Sequence, residues 1–231
     1  MIRLFLCDTR ALTADGAERK IADTPAVAGV LAVRESVRRV ESAAAYILLA
    51  AAAQRLGFGK LCELSRGECG KPYVPGGALG GLSFNLSHRP GTALLMLSDE
   101  GECGCDIEGY ASEERLARID ERRLSQLDFS AIEAGSADVE FCLMNESGEI
   151  EFEPKICKND NYILHIEEKT NYETPALRWT ALEAALKMSG GGFGDLSRVG
   201  EIFPTVRAAS FEATVGECRY AISAAVHRVE G

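Results

Sequence analysis

The stretch "FNLSHRPGTALLMLSDEGECGCDIEGY", residues 84 to 110, sets the fold of this chain. "GLSFNLSH" and "GTALLMLSD" read as two strands separated by "RPG", and a tight turn at "DEGE" leads into a third strand, "CGCDIE". In an extended chain, residues two apart share a face. Asp106 and Glu108 therefore stand side by side while Ile107 turns into the core. Two carboxylates that close repel unless positive charge lies between them, and a hard divalent cation such as Mg²⁺ suits an oxygen-only pair.

On the N-terminal side, "MIRLFLCDTR" reads as a first strand, and residues 1 to about 26 as that strand and a loop. From Pro25 to about Leu56 the composition is helical, with Gly57 as the stop, and "RGECGKPYVPGG" (66 to 77) is a Gly/Pro-rich loop. On the C-terminal side, "SEERLARIDERRLSQL" (112 to 127) opens on Ser112 ahead of two glutamates and predicts a helix. "ADVEFCLMNESGEIEFEP" alternates polar and apolar residues about "NESG", a hairpin signature, and "NYILHIEE" predicts a third strand in the 138 to 170 region. A further helix starts near Thr174, with Pro175 suited to its first position, and stops at a glycine cluster. The closing "FEATVGECRYAISAAVHR" reads as a terminal hairpin. Helices alternating with antiparallel strand pairs predict an α+β fold.

At 231 residues the chain can bury a substantial core as one large domain or two small ones. "AAAYILLAAAA" (43 to 53) falls short of the roughly 18 to 20 apolar residues that span a bilayer, so it predicts a buried helix. The N-terminus lacks the apolar core and cleavage site of a signal peptide, which predicts a cytoplasmic protein without membrane association. None of the eight cysteines forms a C-x-x-C pair, so buried or free thiols are expected rather than zinc ligands or disulfides. A net charge of −10 argues against a nucleic-acid partner held by phosphate contacts, although a local basic pocket still admits phosphate ligands.

Four pieces carry chemistry: "GKP" (70 to 72), "FNLSH" (84 to 88), "DIE" (106 to 108) and "WTALEAALK" (179 to 187). Each is weak alone. A Glu–Lys pair on a helix is by itself an ordinary surface ion pair, and a lone histidine is more often structural than a ligand. Their order is specific. It resembles the Sfp-type 4′-phosphopantetheinyl transferases from about Arg66 to Ser189, and "ECRYAISAAV" fits that family's last strand.

The resemblance implies two similar α+β halves related by a pseudo-twofold, residues 1–105 and 106–231, with coenzyme A between them. It implies that Asp106, Glu108 and Glu183 hold Mg²⁺ and that Lys71, Pro72, Ser87 and His88 contact the nucleotide end and phosphates of coenzyme A. Lys187 would lie beside the pyrophosphate, and Glu183 is the expected proton acceptor. The implied reaction moves phosphopantetheine from coenzyme A to a serine of an apo acyl or peptidyl carrier protein, releasing 3′,5′-ADP. A monomer is expected. The alternatives are a catalytically impaired relative that binds coenzyme A or the carrier, and an unrelated metal-binding α+β protein.

Three departures from the family pattern stand out. Leu182 occupies the position that commonly holds lysine before the helix glutamate. The N-terminal helix has no matching arginine, and Arg34, Arg38 and Arg39 are the nearest substitutes, with Arg38 taken as a coenzyme A contact. Residues 138 to 170 read as a three-stranded insertion in the second half. Arg115, Arg118, Arg122 and Arg123 fall largely on one side of the helix from 112, so this basic face is expected to dock an acidic carrier, bordered by the insertion. A solvated helix laced with Glu113, Glu114 and Glu121 pairs is the competing reading.

Overall fold

The computed structural model describes residues 1–24, 36–61, 63–67, 70–153, 164–191 and 193–228, with backbone alone at 36–38, 112–113 and 193–195. Its first sheet contains the predicted hairpin, β4 (Ser83–Arg89) and β5 (Thr92–Ser98). β5 lies antiparallel to β1 (Ile2–Asp8), which in turn pairs parallel with β8 (Asp138–Met144), and β9 (Ile150–Phe152) closes the edge. The second sheet runs β10 (Leu164–Lys169), β11 (Val206–Val215), β12 (Cys218–His227), β6 (Cys103–Gly109), all antiparallel. The short β7 (Glu133–Ala134) adds to β11, and β2 (Ser65–Arg66) pairs with β3 (Pro72–Tyr73) as a separate ribbon.

Strand alternation sorts the side chains into layers. Leu4 and Leu6 of β1 meet Cys103, Cys105 and Ile107 of β6 and Ile222 of β12 in a core between the sheets. Phe5 and Cys7 face the opposite way, into a core built with α1 (Ala14–Ala22) and α2 (Ser36–Arg55). The outer face of the second sheet is covered by α4 (Pro175–Met188), whose Leu182 and Leu186 join Phe203 and Val206. The α3 helix (Glu113–Arg122) packs against α4, and a short α5 (Val199–Ile202) completes the set. The result is a four-layer helix–sheet–sheet–helix arrangement of α+β type.

Each sheet contains a strand flanked by the second strand of a later hairpin: β1–β5–β4 in one sheet, β6–β12–β11 in the other. The boundary expected between residues 105 and 106 falls inside β6, and β8–β9 cross back into the first sheet.

The three strands expected between 138 and 170 form, but not as a separate insertion. Phe141 points into the core between the sheets while Cys142 and Met144 point into the helix-covered core, so β8 needs cover on both faces and finds it beside β1. β10 instead joins β11. The N-terminal segment holds α1 where a loop was expected, with the Thr13 hydroxyl accepting from Gly16 N at 3.0 Å as its cap. The long helix is present from Ser36 and ends before Gly57, whose φ of +86° suits a helix stop. Its expected start and Arg34 lie outside the described residues, as does the side chain of Arg38. Among the described residues no helix is long and apolar enough to cross a membrane. Cys7, Cys103, Cys105 and Cys142 are buried free thiols, and Cys218 is an exposed one.

Candidate active site

β6 and α4 meet at a single small residue. A Cβ placed on Gly104 would lie 2.1 Å from Ala184 O and 2.5 Å from Met188 N, both backbone atoms that cannot swing aside. Glycine therefore lets α4 lie directly on the strand. Asp106 and Glu108 follow Gly104 on the same face, and Glu183 and Lys187 come down from the helix one turn apart. Lys187 Nζ donates to Asp106 Oδ1 at 2.7 Å and to Cys105 O at 3.1 Å, with Glu183 Oε2 at 3.7 Å. The distant helix and the strand tip thus share one charged cluster.

The opposite wall is β4. Its alternate residues Asn85, Ser87 and Arg89 face β6 and engage it in sequence. Asn85 Oδ1 accepts from Cys105 N at 3.0 Å, Ser87 Oγ donates to Asp106 Oδ1 at 2.8 Å, and Arg89 pairs with Glu108. These side chains bind the edge of β6 in place of another strand, which joins the two sheets where the carboxylates lie. Arg115 of α3 also donates to Glu108 Oε2, at 3.2 Å. Arg89, Asn85 and Gly104 were not singled out from the sequence. The period-two rule that pairs Asp106 with Glu108 also groups Asn85, Ser87 and Arg89, so that signal was available.

Electrostatics follow from this crowding. Burial first, and then the negative charge of Asp106, push the Glu183 carboxyl up to about 7. Lys187 and Arg89 pull in the opposite direction without cancelling the rise. Burial works to discharge Lys187, but Asp106 and Glu183 outweigh it and hold the ammonium above its ordinary range. The three acids are balanced within the chain by Lys187, Arg89 and Arg115.

The fit to a divalent cation is uneven across the three acids. Asp106 is 3% exposed, and its Oδ2 is buried with no hydrogen-bond partner, an oxygen suited to a cation. Glu183 stands beside it with a loose contact to Lys187. Glu108 is fully engaged, since Oε2 takes both arginines and Oε1 accepts from Gly109 N at 3.2 Å. Among the described residues no three His, Cys, Asp or Glu side chains converge as a metal cluster. Asp106 and Glu183 are therefore the oxygens that fit Mg²⁺, whereas Glu108, with both oxygens engaged, does not fit it in this arrangement.

The remaining expected contacts lie apart from this cluster. His88 points to the other side of β4, where Nε2 meets Ser42 Oγ of α2 at 3.2 Å and Nδ1 lies 3.7 Å from Glu41. Lys71 sits at the start of β6, donating to Cys103 O at 2.9 Å and pairing with Glu102 at 2.5 Å, and Pro72 lies in β3. Arg39 is tied to Glu18 of α1 at 3.0 Å. Leu182 is 1% exposed, because that face of α4 fills the core around Leu124 and Phe203.

The arginine face of α3 divides. Arg118, Arg122 and Arg123 line a groove of about 640 Å³ floored by Ile119, Leu127, Trp179 and Leu196. Arg115, expected on the same docking face, is 57% exposed and also donates to Glu108 Oε2.

No family model matches the chain. Segments of it are similar to 4′-phosphopantetheinyl transferases. The enzyme AcpT of Salmonella typhimurium is 47% identical over 74 residues, which is 32% of this chain and 35% of that protein. AcpT of Escherichia coli (strain K12) is 53% identical over 49 residues, 21% of this chain and 24% of that protein. The chain thus spans about a third or less of the length of the relatives it matches.

Proposed function

We propose that the protein is an Mg²⁺-dependent, Sfp-type 4′-phosphopantetheinyl transferase, acting as a cytoplasmic monomer of two related halves on coenzyme A and an apo acyl or peptidyl carrier protein. The observation that carries this reading is the meeting of Asp106, Glu183 and Lys187 beneath Gly104, with Ser87 closing the cluster from β4.

Cleaving a diphosphate requires stabilisation of charge on the transferred phosphoryl group and on the departing nucleotide. The Lys187 ammonium, kept charged by its two acidic neighbours, supplies part of it. Asp106 and Glu183 would hold Mg²⁺, with Glu108 beside them engaged by Arg89 and Arg115, and the ion when bound adds Lewis-acid stabilisation at the same phosphates. Glu183, with a proton affinity near neutrality, suits the task of taking the proton from the carrier serine. Ser87 orients Asp106. Lys71, Pro72, His88 and Arg38 are assigned to the nucleotide end of coenzyme A. The groove rimmed by Arg118, Arg122 and Arg123 offers an apolar floor and a basic edge to an acidic carrier helix, which an enzyme of net charge −10 needs locally to avoid repulsion.

Incubation with Mg²⁺, coenzyme A and several apo carriers, read by intact mass, tests the assignment. A gain of one phosphopantetheine group on any carrier supports it. Binding of coenzyme A with no gain on any of them identifies an impaired relative, and neither binding nor gain removes the reading altogether.

A further inference from the structure

Glu108 is 1% exposed, and one guanidinium is enough to neutralise a buried carboxylate. It holds two. Arg89 and Arg115 both bond through a terminal nitrogen to the same oxygen, Oε2, so the trio carries one surplus positive charge. Arg89 is 35% exposed and Arg115 57%, and a guanidinium carries five N–H donors, so most of their donors remain uncommitted to Glu108. The Arg89 Nε is buried and has no partner. Arg89 also shares a strand face with Ser87, the residue bonded to Asp106, and its charge is felt at Glu183. A pair of planar cations held by a buried acid, two strand positions from the Asp106 that Lys187 binds, suits a phosphate group.

We propose that Arg89 is a further catalytic residue, held with Arg115 on Glu108 as a two-guanidinium fork that binds the phosphate oxygens of the reacting diphosphate. Leu182 is buried in the core, so Lys187 is the α4 cation against Asp106, and Arg89 brings a further cation to the cluster from the opposite wall, at Glu108. The role of Arg89 rests on the transferase reading only for the identity of the diphosphate, because the fork itself is an anion site.

Calorimetry with inorganic pyrophosphate in the presence of EDTA reads the fork without metal or turnover. Arg89→Gln is expected to weaken pyrophosphate binding about tenfold or more, the scale of one charge-assisted contact. The double variant R89Q/E108Q separates contact from structural support, because it removes the buried acid together with the arginine that it holds. It is expected to recover the melting temperature of the parent and to stay weak for pyrophosphate. Parent-like pyrophosphate binding in R89Q, or its return in R89Q/E108Q, overturns the proposal by making Arg89 a counter-charge and nothing more. Should R89Q alone not fold, the double variant carries the measurement. Failure of the parent protein to modify any carrier would sink the transferase reading while leaving the pyrophosphate result to stand or fall alone.

Discussion

The two sheets share a three-strand pattern, β1–β5–β4 and β6–β12–β11, and have opposite helix–sheet seams. In the first, β1 presents Phe5 and Cys7 to α2, which answers with Ala44, Ile47 and Leu48, and the seam is dry. In the second, β6 presents Gly104, Asp106 and Glu108 to α4, which answers with Ala184, Glu183 and Lys187. One architecture therefore supports either a core or a charged site. The difference rests on three strand positions: a glycine that draws the helix in, and two acids that require cations once it is there. A buried charge needs a partner, so the second seam recruits Arg89 from β4 and Arg115 from α3.

The largest break in this contrast is expected from Glu183→Ala. Transfer to a carrier should fall at least about a thousandfold if proton transfer and charge stabilisation are both lost, while circular dichroism stays that of the parent. Collapse of the fold would mark Glu183 as a packing residue.

Gly104→Ala comes next. Backbone atoms block the new methyl, so α4 must lift, at a cost of about 3 kcal/mol, with transfer reduced about a hundredfold as Lys187 and Glu183 leave Asp106. Cys7→Ala at the dry seam makes the control: about 1 to 2 kcal/mol of stability lost, and transfer unchanged. Equal effects on transfer from both would erase the distinction between the seams.

The charged seam also predicts an unusual pH dependence for the metal-free protein. The Glu183 carboxyl titrates near 7 in the folded chain against an ordinary 4.5. Between those values the unfolded chain has released a proton that the folded chain still binds. The stability contributed by Glu183 is thus fully present below 4.5 and is lost towards 7, by up to ~3 kcal/mol. Urea titrations across this range should show that slope, and Glu183→Gln should flatten it. An unchanged slope in the variant would assign the dependence to another group.

The smallest effect lies away from both seams. Charge reversal at Arg118 and Arg122 together should raise the apparent KM for carrier about tenfold and leave coenzyme A binding unchanged. Carrier kinetics identical to the parent would return the α3 face to plain solvent.

Much of this was legible in the chain itself. Period-two alternation placed Ile107 inward and Asp106 with Glu108 together, and helical spacing put Lys187 one turn from Glu183. The hairpin at 83–98 and the terminal hairpin from Phe211 followed from strand composition and turn residues, although the first strand of the latter begins earlier, at Val206. The "NESG" turn also announced itself, with Asn145 Oδ1 accepting from Ser147 N at 3.0 Å and Glu149 N at 2.9 Å. What failed was the destination of those strands. A hairpin signature fixes the local turn and says nothing about which sheet edge receives it, so β8–β9 read as an insertion although both faces of β8 are buried.

Sequence alone determined the elements and the shared faces, because both depend on neighbours a few residues away. Tertiary structure alone decided that β4 would cap the edge of β6, that Gly104 would be a contact with α4, and that Arg89 would reach Glu108. Those outcomes turn on distances between segments about 20 to 80 residues apart, and on the cost of leaving a buried carboxylate without a cation. No local pattern of residues encodes either.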